Sequence, residues 1–231
     1  SRSVALGQSV LSAQNFTTAT NSHNTAVGHA AGAAVTTGVE DTLIGGLAGI
    51  ALTTGQENVA VGYAALNSDT KGNHSTALGH RALVSQNFTT STDTHNVAVG
   101  FAAGAAVTTG VQNTIIGALA GDGTDDGANC VAVGYLALSA NCGDENTAVG
   151  KDAGLLITGG GNVCLGHAAG DALTSGNQNI IIGSGADAAT VSTNNAITLG
   201  IGIAASANDF SFGKVSNVVT NDFDTDADWS R

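Results

Sequence analysis

The side chains able to do chemistry in this chain are sparse, and most recur at fixed offsets. Three carboxylates, Asp122, Asp125 and Asp126, crowd the glycine-rich stretch "GDGTDDGAN" at 121–129. Carboxylates in a flexible turn suit Ca²⁺. Their spacing matches neither the EF-hand loop nor the calcium-binding β-roll nonapeptide. They are the calcium candidates the sequence offers, and no metal or cofactor is expected. Cys130, Cys142 and Cys164 form no CxxC pair, which argues against zinc, and their odd number excludes a complete intrachain disulfide set. Cys164 stands where other repeats carry a small apolar residue, so the thiols read as structural. No Ser–His–Asp motif or phosphate loop is present. Two acids in a groove can cleave glycans, but a near-perfect repeat of small side chains leaves few deep clefts. No enzyme activity is expected.

Two segments stand out for binding: "LSAQNFTTATNSH" (11–23) and "LVSQNFTTSTDTH" (83–95). Each carries hydroxyls, amides and a lone aromatic, a mixture that suits carbohydrate as well as a solvated loop. The receptor-contact candidates are Asn15, Phe16, Thr17, Asn87, Phe88 and Thr89. Both segments are four-residue gains within a repeat, and insertions in a solenoid collect on one face where binding often occurs.

The elements that must position these residues are read from one phrase, "NTAVG", and its variants. The phrase-ending glycines are Gly7, Gly28, Gly45, Gly62, Gly79, Gly100, Gly117, Gly134, Gly150, Gly166, Gly183 and Gly200, spaced by 16–17 residues except for two spacings of 21. A longer period lies above this one. A shift of 72 aligns "QNFTTATNSHNTAVGHAAGAAVTTGV" (14–39) with "QNFTTSTDTHNVAVGFAAGAAVTTGV" (86–111).

The columns of this alignment have physical content. The residue before the glycine is always Val, Ile or Leu, and the third before it is always Val, Thr or Ile. Between them stands mostly Ala. Seven of twelve phrases open with Asn, and ten of twelve have Ala three residues after the glycine. Such a phrase predicts a short strand, with its first and last residues on one face and the middle one on the other. Asn at the start suits a turn, where its amide bonds local backbone or stacks as a ladder on the next coil. A second strand is expected around "AVTTG". A period of about 17 residues broken by glycine is too short for a helix pair.

The chain is therefore expected to be all-β: a parallel β-solenoid or β-roll of about 12 coils over residues 1–203, with a non-repetitive C-terminal segment at 204–231. Coils rise by ~4.8 Å each, so the rod is on the order of 50–60 Å long. The strands are apolar on both faces, which demands a second layer. The expectation is that the large aliphatics pack inside the coil and the alanine face meets a partner chain. A wider single-chain β-helix is the alternative. The six histidines fall in two columns, His23, His74 and His95 five before the glycine, and His29, His80 and His167 one after it. They read as a solvated or hydrogen-bonded rim. On a trimer axis, a histidine would appear three times and could bind an ion.

Composition narrows the partners. The formal charge is −12, with 6 Lys or Arg against 18 Asp or Glu. That excludes the basic footprint of a nucleic-acid binder and repels anionic membranes. No apolar run approaches the ~20 residues of a membrane-spanning helix. The acidic, lysine-poor balance suits an extracellular, non-sticking object. The chain has no methionine, which is expected of a fragment or a processed product. "TTG" recurs at 36–38, 53–55 and 108–110, but the threonine ladder an ice-binding solenoid needs is not maintained.

The phrases "NTAVG", "NVAVG" and "NTIIG" resemble the repeats of YadA-like trimeric autotransporter adhesin heads. The form "NTAVGxxAG…TTGxxNTxIG" is still more similar to repeats of bacteriophage tail fibres, over residues 1 to about 200. The resemblance implies a left-handed β-roll in a homotrimer, located on the virion or otherwise extracellular. The 16–17-residue coil departs from the shorter repeat of the adhesin heads. Residues 205–231 resemble the segment preceding an S74-type intramolecular chaperone, which in that family trimerises the chain and then cuts itself off near a serine. "DWSR" lies about where such a junction would fall. "NDFDTDADW" (221–229) alternates acid with Phe223, Thr225, Ala227 and Trp229, the pattern of a half-buried capping strand. The function this implies is a non-catalytic structural segment of a viral (bacteriophage) tail fibre that attaches to a host-surface glycan or protein. The alternative is the head of a bacterial trimeric autotransporter adhesin. Ice binding and glycan cleavage by a tailspike rank below both.

Overall fold

A computed structural model describes residues 2–222. Among them there is no helix. Each phrase forms one short strand: β1 (Val4–Leu6), β2 (Thr25–Val27), β3 (Thr42–Ile44) and β4 (Val59–Val61). Then come β5 (Gly72–Asn73), β6 (Thr76–Leu78), β7 (Thr92–Asp93), β8 (Val97–Val99), β9 (Thr114–Ile116) and β10 (Val131–Val133). The last group is β11 (Thr147–Val149), β12 (Val163–Leu165), β13 (Ile180–Ile182), β14 (Asp187–Ala188) and β15 (Ile197–Ile201). The twelve phrase strands stack in chain order into one parallel sheet, so the molecule is a β-solenoid. The register never slips. Ala26 pairs with Leu43, Leu43 with Ala60, and Ala60 with Ala77.

Gly45 shows why the phrase ends in glycine. Its φ is +135°, and a Cβ built there would lie 2.4 Å from the carbonyl oxygen of Gly62 in the next coil. Two constraints coincide: a backbone conformation L-residues avoid, and no room between stacked backbones. The same close approach recurs at each phrase glycine, which ties the column to the stacking itself.

The structure reverses the expected facing of the strands. The middle residue points inward: Ala26, Leu43, Ala60, Ala77, Ala98 and Cys164 are fully buried. The flanking aliphatics face outward, with Ile44, Leu78, Ile116, Val149 and Ile182 all exposed. The reason is cross-section. The interior already receives the Ala column after the glycine, buried from Ala31 to Ala186, together with one large side chain per coil. In most coils that large residue comes from one of two positions; in the Gly117 coil, which has Gly121 and Thr124 there, it is the middle strand residue Ile115. Where the fourth residue after the glycine is Leu (Leu66, Leu83), the seventh is polar (Asp69, Gln86). Where the fourth is Gly (Gly32, Gly49, Gly154), the seventh is aliphatic (Val35, Leu52, Ile157). A Cβ at Gly32 would lie 2.7 Å from Leu43 Cδ1 and 2.9 Å from Leu11 Cδ2, so the space is already taken by the coils on either side. Close packing of this kind leaves no interior volume for a Val or Ile pair from every strand.

The expected second strand at "AVTTG" is also absent. The chain after the glycine runs through left-handed positions, Ala30 at φ 55° and Gly32 at φ 58°. The Val35 N–H turns back to the Gly32 carbonyl, while Ala34 and Thr36 donate to Ile50 and Thr53 of the next coil. Alternate amides thus bond within the coil and between coils, which is a stacked turn, not an extended strand. Among the described residues, short second pairings form only where β5 meets β7, and where β14 meets β16 (Ala204–Ala205).

The sheet continues past residue 203. Strand β17 (Asp209–Lys214) pairs in parallel with β15, aligning Phe210 with Ile197, Phe212 with Leu199 and Gly213 with Gly200. "DFSFG" is a thirteenth phrase that the sequence reading missed, because its spacing shrinks to 13 residues and aromatics replace the aliphatics. Strand β18 (Asn217–Asp222) folds back antiparallel on β17. Phe223, Trp229 and the rest of the alternating stretch beyond Asp222 lie outside the described residues.

Candidate functional site

The asparagine that opens each phrase is the chief internal polar device. Asn24 Oδ1 accepts the Asp41 amide at 2.9 Å, and Asn24 Nδ2 donates to the Gly38 carbonyl at 2.9 Å. Asn58, Asn96, Asn113, Asn162 and Asn179 repeat both bonds, to the same column of the next coil and to a carbonyl fourteen residues on. The expected ladder is therefore present. All these side chains are buried, so each bond satisfies a group whose isolation would cost about 1–3 kcal/mol.

Asp41 breaks the pattern. Its Oδ1 accepts from Asn58, but Oδ2 is buried without a partner. Burial pushes its carboxyl up to about 7, against the opposing pull of the Asn58 hydrogen bonds. Cys130 also replaces an asparagine. Its Sγ lies 3.9 Å from Cys142 Sγ, with both thiols buried and reduced. The contact with Cys142, together with burial, pushes the Cys130 thiol up, and the same contact draws Cys142 down. Burial raises Cys164 to about 12.

The two inserted segments differ in placement. In the second, Gln86 is fully buried; it donates to Asp69 Oδ2 at 2.6 Å and to Ser75 Oγ at 2.8 Å, and accepts from Asn96 at 2.9 Å. Asp69 Oδ1 also accepts the Gly72 and Phe88 amides. Phe88 is buried, while Asn87 and Thr89 are exposed. In the first segment, Asn15 and Thr17 are exposed and Phe16 is half-buried. Gln14, Asn15, Phe16, Thr18, Ala19 and Thr20 line an open hollow of about 400 Å³. Of the receptor-contact candidates, only Phe88 is withdrawn from the surface.

Asp125 and Asp126 are exposed and Asp122 half-buried. Asp125 accepts the Thr108 hydroxyl. Among the described residues these three do not form a convergent ligand group. The group that does is His74, Asp93 and His95, whose donor atoms all lie within 4.8 Å of one another. Sequence reading missed it because β5 and β7 bring together residues about twenty apart. The threonines of "TTG" are tied down: Thr36 and Thr53 hydroxyls donate to carbonyls of the next coil.

His80, one of the histidines after the glycine, forms part of an exposed ring ladder. His80 stacks between Tyr63 and Phe101, each centroid 5.4 Å away. Lys151 sits over the Tyr135 ring at 5.9 Å. This ladder follows directly on the outward aliphatic column, so apolar surface runs along one side of the solenoid. No protein-family model matches the chain, and neither a curated protein nor a solved structure is significantly similar to it.

Proposed function

We propose that the chain is a non-catalytic shaft segment of a viral tail fibre, assembled as a homotrimer and presenting loops to a host-surface glycan or protein. The observation that carries this reading is the outward sheet face. It sets two aliphatic or threonine columns on the solvent side of every coil, from Val4 and Leu6 to Ile180 and Ile182. Monomeric proteins rarely leave a continuous apolar strip of this length uncovered. An unbroken sheet face running the length of the rod could meet the same face of other copies about a shared axis. Continuous ladders of backbone, asparagine and glycine then make a stiff rod, and the four-residue insertions stand off it with Asn15, Thr17, Asn87 and Thr89 exposed.

Sedimentation equilibrium tests the assembly. The expected mass is three times 22.5 kDa. A monomer in dilute buffer would overturn the proposal. Attachment is tested on a glycan array with the intact chain and with a variant carrying Asn15→Ala, Thr17→Ala, Asn87→Ala and Thr89→Ala. Signal lost in the variant supports loop recognition, and unchanged signal counts against it.

A further inference from the structure

The geometry points to a divalent transition-metal site built from His74, Asp93 and His95, with Glu57 as the supporting carboxylate. His74 follows β5 and Asp93 ends β7, and the pairing of Asn73 with Asp93 fixes their register. Asn73 Nδ2 donates to Asp93 Oδ1 at 3.1 Å, which orients that carboxylate.

The key atom is His74 Nδ1. It is buried and has no hydrogen-bond partner, yet it lies 3.3 Å from Asp93 Oδ1. Two ligands bound to one ion at about 2.0–2.1 Å with a tetrahedral angle stand roughly 3.3 Å apart. The opposite nitrogen, Nε2, faces Glu57 Oε2 at 3.3 Å. A proton held there toward Glu57 leaves the Nδ1 lone pair free, the arrangement by which a second carboxylate orients a ligating imidazole. His95 supplies the third donor. Its ring lies nearly parallel to that of His74 at 5.0 Å, so sharing an ion takes a rotation of His95 alone, whose side chain is exposed. Two imidazoles and one carboxylate select Zn²⁺, Co²⁺ or Ni²⁺ over Ca²⁺ or Mg²⁺, which want oxygen.

The molecule contains its own control. Shifted by 72, the positions of His74, Asp93 and His95 are Arg2, Asn21 and His23. Two of three ligands are missing from the first copy, although the surrounding sequence is nearly the same. Among the described residues, the ion-pair partner of His23 is Glu40, at 3.8 Å. The site belongs to the second insert, where a bound ion would staple the insert to the coil before it.

The test is titration of the chelator-stripped intact chain with CoCl₂, read by its visible d–d absorption. One Co²⁺ per chain is expected. Asp93→Asn and His74→Arg, which copy the residues of the first insert and so suit the fold, should each weaken binding by more than tenfold. Glu57→Gln should weaken it by about 10–100-fold. His23→Ala should leave it unchanged. Absence of a 1:1 Co²⁺ complex, unaltered affinity in Asp93→Asn, or loss of binding in His23→Ala would each overturn the site.

Discussion

The two 21-residue coils carry nearly the same words and live in different surroundings. Gln86 sits in a closed network with Asp69, Ser75 and Asn96. Its counterpart Gln14 keeps a buried Nε2 with no partner. Phe88 is buried and Phe16 half-buried. In the second copy, Asp69 of the adjacent coil supplies an acceptor to Gln86 and also holds the Phe88 amide. Side-chain identity in a solenoid thus sets what a residue can do, and the adjacent coil sets what it does.

Substitutions in pairs sharpen this contrast. Phe88→Ala should cost about 3 kcal/mol, as expected for emptying a buried aromatic site, and Phe16→Ala less than half as much. The midpoint of chemical unfolding reads both, and equal costs would break the comparison. Gln86→Ala should lose about 2–3 kcal/mol, because it leaves Asp69 Oδ2 buried without its donor. Gln14→Ala should stay within about 0.5 kcal/mol.

The blocks also differ in the asparagine ladder, where Asp41 corresponds to Asn113. Asn113 donates to the Gly127 carbonyl at 2.8 Å, and Asp41 has no such donor when ionised. The folded carboxyl is raised from 3.8 to about 7. The folded state therefore holds a proton that the unfolded chain has released. The stability this proton contributes is complete below the unfolded value and is lost as pH rises through about 7. Asp41→Asn should raise stability by about 1–3 kcal/mol above that pH and flatten the profile. Thermal unfolding at pH 5 and pH 8 measures it, and a parallel loss in the variant would exclude Asp41 as the source. The smallest effect is expected at the exposed Thr17 and Thr89, whose change to Ala should shift stability by under about 0.5 kcal/mol in both copies.

Much of the fold was legible from residue types. The fixed glycines gave the coil, and the β-branched pairs around a small residue gave the strand. The Asn column gave the ladder that Asn24, Asn58 and Asn113 now display. The metal group was not legible, since nothing in the spacing of His74, Asp93 and His95 says that β5 and β7 pair. Nor was "DFSFG" recognised as a phrase, because Phe210 and Phe212 changed the residue type and the spacing together.

Sequence by itself determined the period, the strand positions and the existence of two distinct strand faces. Those follow from local sterics: glycine at φ near +135°, branched side chains in extended backbone, and alternation within three residues. Only the tertiary structure decided which face looks inward. Alternation separates two faces and carries no sign. The sign came from volume: the Ala column after most glycines and a large residue in most coils fill the interior, and the remaining space admits the single middle residue, usually Ala and in places Leu43, Ile115 or Ile181, but not a pair of branched ones. The larger aliphatics were left on the outside.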